Sequence, residues 1–254
     1  QSYAEAEYFA LELMKLNAQR KEIELEMKED ALDNLSFDKD KSYSLCLYNK
    51  NWHQGVIGIL ASRMKEKYHR PTIIFALDSS GIFKGSARSI PGFHMRDALD
   101  LISKQHTHLI KTFGGHAMAA GLTIEETSFD EFVTVFELHC AKTLTKDDLN
   151  LVVDVDESIL AKSVTFEDVR QIGLSVWGQG FSPPYFKDGF EVISQKTLMN
   201  KHVKCQLLLK SKIYEAIIFN YVETLPDRIV AVYSMETNDF RGNKSIQLIL
   251  RELV

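Results

Sequence analysis

The first glycine is Gly55 and no proline precedes it, so the opening fifth of the chain lacks the two residues that most readily interrupt a helix. That stretch is rich in Ala, Leu, Glu, Lys and Met, all strong helix formers. Phe9, Leu13, Leu16, Ile23, Met27 and Ala31 recur at spacings of three, four or seven and mark one face. The pattern predicts a single helix over residues 3–33, about 45 Å long at ~1.5 Å per residue. A helix of that length needs a surface for its apolar face. It opens without a cap signal before Ala4, and we read this as the mark of a domain that precedes it.

Beyond residue 43 the pattern alternates. Residues 44–48 read as a strand, 53–68 as a helix, 72–77 as a buried strand and 83–88 as a further strand. A helix follows over 95–104 with Asp97 near its start, and another over 129–143 capped by Thr127 or Ser128. Strands alternating with helices make an α/β domain. After the polar joint 145–150, short strands are expected at 151–156, 191–193, 203–209, 214–219, 229–234 and 246–251, with one helix at 165–173. That set suits a small β-barrel. The expected organisation is a connector helix over 1–41, an α/β domain over 42–146 and a barrel over 147–254.

The net charge of −5 over 254 residues resides in the first segment. Residues 1–41 hold eleven acidic and six basic side chains, which leaves the rest of the chain neutral. The charge therefore neither demands nor forbids a nucleic-acid partner. No apolar run is long enough to cross a membrane. Cys46, Cys140 and Cys205 are isolated and form no ligand pair. They read as reduced, buried thiols, which predicts a cytoplasmic setting.

Chemistry concentrates in two glycine-bearing turns. Gly85-Ser86-Ala87-Arg88-Ser89 offers hydroxyls and a guanidinium, and Gly114-Gly115-His116 offers an imidazole beside free backbone N–H groups. Arg supplies a permanently charged, forked donor suited to phosphate, and glycine lets the backbone approach an anion. On spacing alone, Arg88 reads as an ordinary surface residue and His116 as a structural one. Trp52-His53-Gln54-Gly55 falls where a strand gives way to a helix, a place for an anion or simply for capping. Gly58 fits close packing of that helix, and Arg63, His94 and Arg96 default to solvated surface. Nothing in these turns has the spacing of a metal cluster.

Three ordered stretches resemble the RecJ exonucleases of the DHH phosphoesterase superfamily: residues 52–59, 85–94 and 113–121. A fourth, Trp177-Gly178-Gln179-Gly180-Phe181-Ser182-Pro183-Pro184-Tyr185-Phe186, is similar to the turn that leads into that family's OB-fold, with Phe181-Ser182 in place of the usual Asn-Pro. The family's Asp-His-His signature is absent. The resemblance implies a connector helix, a DHH-associated α/β domain and an OB-fold from a 5′-to-3′ single-stranded-DNA exonuclease of repair and recombination. It implies that manganese or magnesium belongs to a catalytic domain outside this chain, and that the fragment alone cleaves nothing. Ser86, Arg88, Ser89, Gly114, Gly115, His116, His53 and Gln54 become the expected phosphate contacts. In the barrel Lys210, Lys212 and Tyr214 are the foremost expected DNA contacts, with Lys201, Lys204, Arg241, Tyr185, Phe186, Tyr233 and Phe240 of suitable type. Single-stranded DNA is the expected partner, alongside a single-strand-binding protein or a helicase, for a monomer. Two rival readings are a small-substrate phosphoesterase acting on oligonucleotides or cyclic dinucleotides, and a non-enzymatic strand-binding or docking module.

Overall fold

A computed structural model describes every residue except 1, 36, 79, 157, 160–163, 179 and 241, and every described side chain except those of 240 and 243. Contacts divide the chain into Gln1–Leu151 and Val152–Val254. Among the described residues, no helix is long and apolar enough to cross a membrane.

In the first unit, helix α1 runs over Tyr3–Asp33. It is capped: the Ser2 hydroxyl accepts from the Glu5 N–H, which corrects the expectation of an uncapped start. The apolar face is also shorter than its sequence period. Met27 and Ala31 are buried, whereas Phe9, Leu13 and Leu16 are exposed. Asp30 fastens the packed end by accepting from Trp52 Nε1 at 2.8 Å and Asn49 Nδ2 at 2.9 Å.

The sheet of this unit has the order β1-β2-β3-β5-β4, from β1 (Leu45–Asn49), β2 (Thr72–Leu77), β3 (Ile82–Arg88), β4 (Thr112–Gly115) and β5 (Ala119–Glu125). β1 and β2 are parallel and the remaining pairs antiparallel. The β-branched and aromatic run of β2 alternates between two cores. Ile73 and Phe75 meet Phe83, Leu99, Phe132 and Phe136, under helices α3 (Met95–Gln105) and α4 (Phe129–Thr143). Ile74 and Ala76 meet Leu60, Met64 and Met27, under α2 (Ile57–Tyr68) and the end of α1. Helix α2 begins four residues later than its sequence pattern predicts, because residues 52–56 form turns closed by Trp52 N–H to Asn49 O and Val56 N–H to His53 O. Ser128 precedes α4 but its side chain makes no cap, since a 3₁₀ turn at Glu126–Ser128 leads in.

Two polar side chains tie the layers. Glu137 on α4 accepts from the N–H groups of Tyr43 and Ser44 at 2.7 and 2.8 Å. Arg70 is buried and donates to the carbonyls of Lys39, Ser42, Tyr68, His69 and Leu149. Desolvation holds its guanidinium below its ordinary pKa. Cys140 and Cys205 are buried and Cys46 partly so; all three are free. Burial pushes their thiols up, Cys205 to about 11.

The second unit is a closed barrel, β10-β8-β7-β6-β9. Its strands are β6 (Phe186–Leu198), β7 (His202–Leu209), β8 (Lys212–Phe219), β9 (Arg228–Phe240) and β10 (Asn243–Leu253). The parallel β10–β8 pair completes the ring. Helix α5 (Phe166–Leu174) starts at a capping box between Thr165 and Asp168. The strand expected over 151–156 does not form. Asp156 N–H reaches Tyr185 O, but no ladder follows for the alternating sequence to join. Inside the barrel the fully buried Tyr233 donates to the buried Asp188 carboxylate at 2.7 Å, and Ser158 donates to its other oxygen.

Candidate nucleic-acid interface

Strand β3 carries two chemistries on alternate residues. Phe83, Gly85 and Ala87 point into the aromatic core, and Lys84, Ser86 and Arg88 share the opposite face. Register partners on β5 continue that face with Thr123, Gly121 and Ala119, and β4 adds Thr112 and Gly114. α2 packs over both β2 and β3, while Gly114 and Gly121 beyond it remain exposed. The outcome is an open sheet face with a nearly bare floor, edged by a hydroxyl and a guanidinium.

Arg88 is held in place from three sides. Its Nε donates to Ser62 Oγ at 3.1 Å, and its Nη1 donates to Ser86 Oγ at 3.2 Å and Ala87 O at 2.8 Å. Ser62 stands one turn after Gly58 on α2, so both face Arg88. Gly58 supplies the room. A Cβ there would lie 3.1 Å from Arg88 Nη2 and 3.1 Å from Ser86 Oγ. Arg88 is half-buried and faces no carboxylate among its described partners, so its charge is held without being neutralised.

The second glycine turn lies at the same end of the sheet. Arg88 pairs in register with Ala119, and His116 N–H closes the β4–β5 hairpin on Ala119 O at 2.8 Å. Gly115 has φ +144, and a Cβ would fall 2.4 Å from Ala119 O, so only glycine lets the hairpin close this tightly. The His116 side chain is exposed at the hairpin tip. Ser86, Arg88, Gly114, Gly115 and His116 are therefore brought together.

Ser89 is not offered to a ligand. It is buried, and its hydroxyl donates to Phe93 O at 2.6 Å, which serves the turn rather than an anion. His53 and Gln54 lie in the turn before α2, not on its first residues, and His53 Nδ1 accepts from Gly55 N–H at 3.0 Å. Neither caps α2, whose N-cap is Val56. Arg63 is spent on Glu24 and Glu66, and His94 caps α3 by accepting from Asp97 N–H.

In the barrel, the turn between β7 and β8 presents Lys210 at φ 54, and Lys212 lies 4.8 Å over the partly buried Tyr214 ring. Lys204 is paired with Glu215 at 2.6 Å. Tyr233 and Phe186 pack in the core. Arg241 and the side chain of Phe240 lie outside the described residues, as does Gln179. A groove of about 620 Å³ opens beside Phe190, Leu208, Lys210, Arg228, Ile229 and Leu253. The Arg88 face is by contrast an open surface, the shape suited to an extended strand. Among the described residues, no group of three or more His, Cys, Asp or Glu side chains could hold a metal ion.

Ser62 and Gly121 join this face without being expected from the sequence. Ser62 stands four residues after Gly58 on one helix face, and Gly121 lies within the alternating strand 119–125; these are the available signals. Strand β4 and the start of β5 are hidden by small residues that carry no β pattern.

Two family models match: a DHHA1 domain over residues 41–142 and a RecJ OB domain over residues 155–252. The single-stranded-DNA-specific exonuclease RecJ of Haemophilus influenzae is 42% identical over 97% of this chain, and the match covers 45% of that protein. Its counterpart from Escherichia coli K12 is 38% identical, again over 97% of this chain and 45% of that protein. The chain thus spans less than half the length of the curated relatives it matches. A crystal structure of RecJ in complex with Mn2+ from Thermus thermophilus aligns with 100% of this chain and 37% of that one, at a TM-score of 0.76 and 24% identity, a likeness of fold.

Proposed function

Carrying a DHHA1 domain followed by a RecJ OB domain, the chain belongs to the RecJ family, and we propose that it is the strand-gripping part of a 5′-to-3′ single-stranded-DNA exonuclease of repair and recombination. The observation that carries this reading is Arg88, a guanidinium with no carboxylate among its described partners, anchored by Ser62 and Ser86 beside a floor of glycines. A phosphodiester lying along the β3–β5–β4 face would meet the Arg88 fork and the Ser86 hydroxyl at one side. The exposed His116 side chain stands at the end, at the hairpin tip. Gly114 and Gly121 let the backbone of the strand approach without a side chain between.

Two-metal hydrolysis also needs a carboxylate cage. In this reading the magnesium or manganese of the reaction is held by the part of the RecJ relatives that this chain does not span, and the chain alone binds without cleaving. Positioning the scissile phosphate is its contribution to catalysis. The barrel adds Lys210, Lys212 and Tyr214 as secondary contacts. The protein works in the cytoplasm as a monomer, alongside a single-strand-binding protein or a helicase.

Anisotropy titration of a 5′-phosphorylated single-stranded oligonucleotide, over a salt series, tests this reading. Arg88→Ala should weaken binding and lower the salt slope by about 0.7, the value of one lost phosphate contact on a single strand. An Arg88→Ala protein with unchanged affinity and slope would rule out the clamp.

A further inference from the structure

Trp177 and Phe181 form a ring pair that the barrel core does not use. Their centroids are 5.2 Å apart and their planes only 24° from parallel. Trp177 is fixed by its Nε1–H, which donates to Ile172 O at 2.8 Å. Phe181 is fixed through its backbone, which exchanges hydrogen bonds with Gly178 at 3.0 and 3.1 Å. Even so, Phe181 is 68% exposed. The turn thus presents to solvent a stacked ring pair that is not spent on the barrel core.

The surroundings select the occupant. From Gln171 to Phe186 the sequence carries no charged residue. In a chain of net charge −5, the segment itself carries no carboxylate to repel a polyanion, although Asp156 adjoins it through its N–H to Tyr185 O. Near-parallel stacking leaves one more aromatic layer as the natural extension, and every nucleobase supplies one. We propose that Phe181, backed by Trp177, is a stacking platform for an unpaired base of single-stranded DNA. The inference rests on the strand-binding reading above and adds a contact of a different kind, made to a base rather than a phosphate.

The test uses intrinsic fluorescence, because Trp177 is one of two tryptophans and the other, Trp52, is buried. Oligo(dT) should quench the emission of the wild-type chain, and a blunt duplex of equal length should not. Phe181→Ala should weaken oligo(dT) binding about 5- to 150-fold, the range for one lost base stack, without changing the salt slope. Phe181→Tyr should keep wild-type affinity, which separates loss of the ring from loss of the fold. Phe181→Ala binding as wild type, or a duplex quenching equally, would overturn the inference. If Arg88→Ala lowers the salt slope while Phe181→Ala changes nothing, the platform fails and the phosphate clamp stands. Absence of any oligo(dT) binding would overturn both, and an apolar protein partner would then be the better occupant of the patch.

Discussion

Replacing Gly58 by alanine probes the Arg88 site without removing any functional group. The new Cβ would sit 3.1 Å from Arg88 Nη2 and from Ser86 Oγ, so each must retreat by a few tenths of an ångström. Both are ends of mobile side chains, and alanine favours a helix over glycine by up to about 1 kcal/mol. Strain and propensity should therefore nearly cancel. We expect stability within about 1 kcal/mol of the wild type, a Tm shift of only a few degrees for a chain this size. The cost appears in binding. Moving the guanidinium loosens bonds to Ser62 and Ser86 that are already 3.1 and 3.2 Å long. Re-immobilising such a side chain on a ligand costs about 0.5–1.5 kcal/mol, so affinity for a single strand should fall roughly 2- to 10-fold. The salt slope should stay as it is, because the charge remains. Differential scanning calorimetry and anisotropy on the same sample read the two quantities. A loss of stability above about 3 kcal/mol would show that the contact at Gly58 is not relieved by side-chain motion. Unchanged affinity, where Arg88→Ala itself weakens binding, would show that the anchoring of the guanidinium does not matter.

Buried polar groups set three further outcomes. Tyr233→Phe removes the donor to Asp188 inside the barrel; a lost hydrogen bond to a charged group should cost about 1.5–3 kcal/mol in urea unfolding of the second unit. Arg70→Met strips donors from carbonyls that include the buried contact to Leu149, and at about 1–3 kcal/mol per stranded group should lower the first unit's stability by on the order of 3 kcal/mol. His69 has its pKa lowered from 6.5 by burial first and by Arg70 and Lys65 next. A depressed folded pKa gives stability that is present above about pH 6.5 and lost as pH falls through the lower folded value. The urea midpoint should drop as pH falls below about 6.5. His69→Asn, which tolerates the left-handed φ of 49 at this position, should flatten that drop, leaving the part due to His139, which is lowered by burial and then Lys142.

Legibility followed the physics of each segment. The apolar run 72–77 and the helix formers of α1 are readable because burial and propensity leave periodic traces. The extent of α1 packing is not, since the spacing of Phe9, Leu13 and Leu16 looks the same whether or not a partner covers it; here those residues are bare while Met27 and Ala31 are covered. Strand β4 and the start of β5 escape notice because Gly114, Gly115, Ala119, Ala120 and Gly121 are small for reasons of close approach, not of β propensity. The Ser86–Arg88 pairing is visible as an i, i+2 pattern on one strand. Its anchor, Ser62, lies 26 residues away in sequence and becomes a neighbour only when α2 folds onto β3. Ser89 differs from expectation for the same reason: nothing local reveals that its hydroxyl turns inward to Phe93 O.

Whether a single strand lies on the β3–β5–β4 face can be asked by photocrosslinking. A 5′-phosphorylated oligonucleotide bearing a photoreactive base near that end would be bound and irradiated, and the adducted peptides identified by mass spectrometry. A strand on this face should give adducts in the peptides holding Ser86–Arg88 and Gly114–Gly121, lost in Arg88→Ala. Adducts confined to the peptides around Lys210–Tyr214 or Trp177–Phe181, and indifferent to Arg88, would place the strand elsewhere and contradict it.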